Sequence, residues 1–213
     1  MKLVAVLGEK GGTTKTASSH LMCLGAYLHG IPAAYVLTDP KRKVREEGRP
    51  YAVLDGRLPE QLALIIQSSE NNLNGWLIID GGGNRPDFDV ELAKHIALVI
   101  VPFRNSEEDI DTAAQSLAAI PKALAWPSAW PTNPLAVKTS QYLIDGLAKA
   151  FPMRVITPPI PFVNSTSDLL VGSLGNASTP VRHTARKVFS TLTDYFELHC
   201  PAKTSDTPEV VSA

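Results

Sequence analysis

Apolar residues along this chain follow two alternating patterns. Short, nearly unbroken runs at 2–7, 33–37, 76–80 and 96–102 read as strands buried on both faces. Between them, apolar positions recur at helical spacing. Leu21, Leu24 and Leu28 do so within 17–29, and Leu62, Ile65 and Ile66 within 59–69. Val181, Val188, Phe189, Leu192 and Phe196 mark a last helix from Thr179 or Pro180 to about 198. Ser106, followed by acids and by Asp109 three residues on, predicts a capped helix start, and Pro121 its end. Weaker signals predict short strands at 51–54, 135–138 and 153–156 and helices at 89–95, 140–150 and 165–171. Residues 126–134 hold two Trp-Pro pairs and predict an irregular loop, whose tryptophans either pack locally or face a partner. Strand alternating with helix predicts an α/β fold: an open, mostly parallel sheet with helices on both faces.

The chemistry concentrates at the first strand–helix junction. Residues 8–16 read Gly-Glu-Lys-Gly-Gly-Thr-Thr-Lys-Thr and lead directly into a helix. Unpaired N–H groups and the dipole of a helix start attract anions, glycines let backbone close around a phosphate, and lysine adds full charge. Lys15-Thr16 match the end of the G-x-x-x-x-G-K-[ST] phosphate loop, but Thr14 stands where that pattern has its last glycine. A second lysine, Lys10, precedes Lys15 by five residues. The stretch Lys10-Gly11-Gly12-x-x-Lys15-Thr16 resembles the deviant Walker A motif, K-G-G-x-x-K-[ST], of the ParA/MinD family of ATPases.

Two downstream carboxylates fit the same picture. Asp80 closes an apolar strand and is followed by Gly81-Gly82-Gly83, a Walker B arrangement leading into a flexible-backbone switch loop. Asp39-Pro40 closes the second strand, on the ligand side of such a sheet. Asp39 matches the second aspartate of the family's D-x-D-P, while Leu37 replaces the first. The family's adenine-reading asparagine has Lys138-Thr139 in its place, and Phe162, Val163 and Asn164 stand where an arginine often contacts the base. Lys41, Arg42, Lys43, Arg45 and Arg49 form the densest basic cluster, interrupted by Glu46 and Glu47. It suits phosphates of nucleotide or of DNA, or simply a solvated loop.

Composition narrows the class. The 213 residues are 44% hydrophobic and 19% charged, as in soluble globular proteins. A formal net charge of −1 gives no global field for nucleic acid, so any such binding needs a local patch. Cys23 and Cys200 stand far apart, with no metal-like spacing and no disulfide framework. No run has the length of a signal peptide's core or a membrane span, so a cytoplasmic protein without a membrane partner is expected.

The resemblance implies one P-loop ATPase domain over 1–199, with a disordered tail over 200–213. It implies ATP and Mg²⁺ as cofactors. Gly11, Gly12, Thr13, Thr14, Lys15, Thr16 and Ala17 would hold the nucleotide, and Thr16 and Asp80 the metal. Lys10, Lys15 and Asp39 would be the catalytic residues, with Lys10 reaching into the partner's site of an ATP-bound homodimer. It further implies slow hydrolysis stimulated by a partner protein. Nonspecific DNA binding would run through Arg182, Arg186 and Lys187 or the Lys41–Arg49 loop, in plasmid or chromosome partition. Because Thr14 adds a Cβ where phosphates crowd the loop, a second reading is a degenerate nucleotide binder acting as an adaptor for a protein machine. A third, an ATP-using synthetase, lacks a recognisable polar substrate set in the sequence.

Overall fold

The computed structural model describes residues 1–12, 14–70, 74–164, 168–171 and 177–201. Six strands among them form one sheet: β1 (Lys2–Val6), β2 (Ala33–Leu37), β3 (Ala52–Asp55), β4 (Trp76–Asp80), β5 (Leu98–Phe103) and β6 (Ala123–Pro127). Their order is β3-β2-β4-β1-β5-β6, and every neighbouring pair is parallel. The helices are α1 (Lys15–Leu28), α2 (Pro59–Glu70), α3 (Pro86–His95), α4 (Glu107–Ala119), α5 (Pro134–Ala150), α6 (Asp168–Val171) and α7 (Thr179–His199).

Alternate residues of each strand face opposite layers. Val4, Val6, Tyr35, Ile78 and Ile100 pack against α1 and α7. Ala5, Leu7, Val36, Ile79 and Val101 pack against α3, α4 and α5. Both faces being covered, the strands read as continuous apolar runs rather than alternating ones. α1 and α7 approach closely at Gly25, where a Cβ would fall 2.2 Å from the Ala185 carbonyl oxygen. Trp76 fills the space beside this contact, edge-on to Phe189 at 5.2 Å and Phe196 at 5.1 Å.

The register lines up the strand ends. Val6 of β1 and Leu37 of β2 both pair with Asp80 of β4. The loop after β1, Asp39 after β2 and the glycines after β4 therefore share one crest, where the chain leaves β1 for either side of the sheet.

Several predicted elements differ from the observed ones. Residues 135–138 are the first turn of α5, not a strand: Asn133 caps them, its Oδ1 accepting from Leu135 N at 2.9 Å, and Pro134 starts the helix. The Trp-Pro segment is not wholly irregular. Trp126-Pro127 ends β6, where the missing N–H of Pro127 is tolerated at the sheet's last strand. Both tryptophans there pack locally, Trp126 and Trp130 being buried. Residues 153–156 contribute one bridge to β6, Ala125 to Val155, and no strand. The helix expected at 89–95 starts earlier, at Pro86. The expectation for 165–171 survives as α6, its first three residues lying outside the described ones, as do 202–213 of the expected tail.

Candidate phosphate-binding site

The loop between β1 and α1 curls above the crest and ends in Thr14, which has φ 68° and ψ 10°. This is the left-handed conformation that favours glycine and costs other residues about 1–2 kcal/mol. The structure explains how threonine holds it. The Thr14 hydroxyl hydrogen-bonds the hydroxyl of Ser128, a buried residue just past β6 whose N–H donates to Phe103 O at 2.7 Å. Thr14 thus holds a backbone that favours glycine, and its side chain is tied to Ser128. Lys138 and Thr139, the residues expected near a base, lie instead on the surface of α5.

Lys15 opens α1 and is buried, its Nζ donating to Lys10 O inside the loop at 2.8 Å. Burial pushes its pKa down, opposed by the charges of Asp80 and Asp89. Gly11, Gly12, Thr14, Lys15, Thr16, Ala17 and Asp39 line one cavity of about 310 Å³, together with Arg42, Gly81 and Gly83. Thr13 lies outside the described residues. Gly81 fits because its neighbours leave no room: a Cβ there would sit 2.7 Å from Leu7 Cδ2 and 3.0 Å from Val6 O, whereas one on Gly83 would meet only ordinary contacts, 3.4 Å from Gly11 N.

Asp80, the residue before the cavity-lining Gly81, is buried, 1% exposed. Its Oδ2 accepts from Tyr35 Oη at 2.6 Å, while buried Oδ1 has no hydrogen-bond partner among the described residues. Burial pushes its pKa up, and the neighbouring Tyr35 and Thr16 hydroxyls pull it back. A buried carboxylate oxygen left unsatisfied beside the Thr16 hydroxyl is a place for a cation. Arg42 holds that side now: its Nη1 donates to Thr16 Oγ1, and its Nε stands 3.5 Å from Asp39 Oδ2. Asp39 Oδ1 accepts from Lys41 N at 2.9 Å.

Lys10 is separated from the other predicted residues. Its Nζ reaches α4, 2.6 Å from Asp109 Oδ1 and 2.8 Å from Glu108 Oε2. These acids, Asp109 first, raise the Lys10 pKa. Asp109 takes the capping position expected of it, its N–H donating to Ser106 Oγ at 3.2 Å, but its carboxylate has a second task. It receives Lys10 and also the Nε and N–H of Arg104, at 3.1 and 3.2 Å. Burial raises its pKa, yet Lys10 and Arg104 outweigh this and hold it below its ordinary value.

Asp89 escapes any pattern in the sequence. It is buried in α3, and its Oδ2 accepts from Gly8 N at 3.3 Å, fixing the entry to the loop. Burial pushes its pKa up to about 6, against the pull of Gly8 N–H, Lys15 and Arg85. A folded-state pKa above the unfolded value makes the fold favour the protonated form. That contribution is complete below about pH 4 and lost as pH rises through about 6. Asp89→Asn is therefore expected to flatten the pH dependence of stability between pH 4 and 6. It should raise stability at pH 7.5 by on the order of 2 kcal/mol, read from urea melts.

An apolar slot of about 340 Å³ continues from Thr14 and Ala17 toward 160–164. Backbone bonds from Trp130 N to Ile160 O (2.9 Å) and from Phe162 N to Trp130 O (2.7 Å) hold its far wall. Phe162, Val163 and Asn164 line it.

No family model matches this chain, and no curated protein sequence does. Solved structures do. Apo McdA from Cyanothece superposes with TM-score 0.65 at 15% identity, over 90% of this chain and 99% of that one. Cobyrinic acid a,c-diamide synthase from Mycobacterium smegmatis, with bound ATP analogue and magnesium, gives 0.65 at 13% identity, over 92% and 96%. The cell-division ATPase MinD from Pyrococcus furiosus gives 0.65 at 11% identity, over 91% and 99%. At these identities the likeness is one of architecture: the chain shares the α/β fold of these three proteins.

Proposed function

We propose that the protein is a ParA-like ATPase switch that binds Mg²⁺ and ATP and dimerises around the nucleotide. The observation that carries this reading is the division between the two lysines. Lys15 is buried inside the loop, while Lys10 is held at the surface by an acidic helix start. In this reading the first serves a phosphate of its own site and the second that of another.

The residues fit the cofactors. Lys15, Thr16 and Ala17 at the start of α1 line the 310 Å³ cavity, and the apolar slot beyond Thr14 and Ala17 suits a planar base. Thr16 and Asp80 offer oxygen ligands, and Asp80 Oδ1 is the unsatisfied atom a cation would complete. When bound, Mg²⁺ neutralises charge on the β- and γ-phosphates. Lys15 adds its charge there, and Asp39, once parted from Arg42, positions the attacking water. Lys10 leaves Asp109 and Glu108 to complete the partner's site. Slow hydrolysis, stimulated by a partner protein, then dissolves the dimer.

DNA binding and a role in plasmid or chromosome partition complete the reading. Arg182, Arg186 and Lys187 are exposed along the outer face of α7, where a phosphate backbone can reach them. The adaptor alternative, with weak or no hydrolysis, rests on Thr14, a non-glycine residue in a left-handed backbone. No helix among the described residues is long and apolar enough to cross a membrane.

Titration with a fluorescent ATP analogue, with and without Mg²⁺, tests the cofactor assignment. Mg²⁺ is expected to tighten binding at least tenfold in the wild type and to have no such effect in Asp80→Asn. That variant keeps the acceptor for Tyr35 and removes only buried charge. Equal Mg²⁺ dependence in both proteins would remove Asp80 from the metal site.

A further inference from the structure

A larger cavity, of about 500 Å³, opens on the other side of Thr16. Five cations line it: Lys41, Arg42, Lys43, Arg45 and Arg49. Among the described lining residues none is Asp or Glu, although the chain as a whole carries a net charge of −1. Among the described residues Lys41, Lys43, Arg45 and Arg49 have no carboxylate partner, and only Arg42 does, in Asp39. Five like charges gathered around one concavity repel each other, and a bound anion relieves that repulsion.

The cavity has an ordered base. Arg49 Nη1 donates to His20 Nδ1 at 3.2 Å and to Tyr51 Oη at 3.1 Å, and its Nε donates to Arg45 O at 2.9 Å. His20 is buried and stacked on Tyr35, ring centroids 4.2 Å apart. A guanidinium has no acceptor atom, so His20 Nδ1 must accept, which makes His20 neutral with its proton on Nε2. Burial, and then Arg49 and Arg42, push the His20 pKa well down, in agreement. Arg49 is thus a charge fixed in place by a buried pair, at little further ordering cost to a ligand.

We propose that this cavity is a second binding site, taking a small multiply charged anion with carboxylate or phosphate groups, seated against the Thr16 side of the phosphate loop. The volume is that of a small-molecule pocket. Its cations share one concavity with Thr16, Tyr35 and Leu37, which suits a small anion, whereas a DNA backbone needs charges spread over an extended face. Glu46 and Glu47 are exposed on the same segment and do not line the cavity, so they oppose a phosphate backbone outside without opposing an anion inside. Thr16 and Arg42 line both this cavity and the phosphate cavity, so the two sites share a wall.

The site stands on its own cations whether or not the loop holds nucleotide, so the test is made without nucleotide. Calorimetric titrations of citrate, pyrophosphate and acetate use the full chain carrying Lys15→Met, which silences phosphate binding at the loop. Citrate or pyrophosphate is expected to bind saturably, one per chain, at least tenfold tighter than acetate. Which of the two binds tighter identifies the carboxylate or phosphate class. The further change Lys43→Gln/Arg45→Gln, on exposed side chains, should weaken binding tenfold or more with an unchanged melting temperature. Arg49→Lys should weaken it by a similar factor. No saturable binding by either anion, or binding indifferent to the Lys43 and Arg45 changes, would overturn the proposal. So would a short DNA duplex that binds tighter than both anions and is lost in the same variant.

Discussion

Lys15→Met is expected to weaken ATP binding about 100-fold while leaving the fold at least as stable as before. The ammonium stands where the loop closes, and a bound phosphate would take two charge-assisted hydrogen bonds from it. Two such bonds are worth roughly 3 kcal/mol, and 1.4 kcal/mol is a factor of ten. Stability moves the other way. Burial lowers the Lys15 pKa, so at neutral pH the fold bears the cost of holding a desolvated charge. The sign follows: a folded-state pKa below the unfolded one penalises the protonated form at every pH below it. Methionine keeps the stem and removes the charge. Paired titrations and thermal melts separate the two effects. A variant that melts well below the wild type, or that retains its affinity, would show that Lys15 is a structural residue.

Gly25→Ala should produce the largest loss of stability among conservative substitutions. In a helix interior this change ordinarily gains about 1 kcal/mol. Here the new methyl would lie 2.2 Å from Ala185 O and 2.5 Å from Phe189 Cβ. The first neighbour is backbone and the second begins a side chain locked against Trp76, so neither can turn aside. α1 and α7 must separate, and overpacking of this kind costs about 3 kcal/mol. The melting temperature should fall by roughly 6–12 °C for a chain of this size. Gly146 supplies the control. It lies on the exposed side of α5 with nothing within 4 Å of its would-be Cβ, and Gly146→Ala should leave the melting temperature unchanged or raise it. Equal behaviour of the two variants would mean the α1–α7 contact is looser than described. Because α1 carries the phosphate loop at its N-terminus, Gly25→Ala should also weaken nucleotide binding through the helix's displacement.

Much of this architecture was readable from residue pattern because both sheet faces are covered. Continuous apolar runs such as Trp76–Asp80 have few other destinations. The loop at Lys10–Thr16 was readable because two lysines and two glycines flanked by strand and helix have a specific chemistry. The pattern misled where two local signals competed. Residues 135–138 are apolar enough for a strand, but Asn133-Pro134 is a cap followed by a proline at the first helical position, and that signal won. The Trp-Pro pairs argued against a strand, yet Pro127 costs nothing at the end of the sheet's last strand. Other features were not readable because they are contacts between residues far apart in sequence. Ser128 on Thr14, Asp89 on Gly8 and Asp109 on Lys10 span 114, 81 and 99 residues, and no local spacing announces them. Thr14 is the clearest case. From sequence it is a defect in a glycine position, and in the structure it is a left-handed residue tied by its hydroxyl.

Analytical ultracentrifugation with ATP, with ADP and without nucleotide, on the wild type and Lys10→Ala, tests the central claim most directly. Lys10→Ala should stay folded, since Asp109 keeps Arg104 as its partner. The switch predicts a dimer that forms with ATP alone in the wild type and is absent under all conditions in Lys10→Ala. A wild-type chain whose sedimentation is the same in all three conditions would contradict it, as would an ATP-dependent dimer that survives the loss of Lys10.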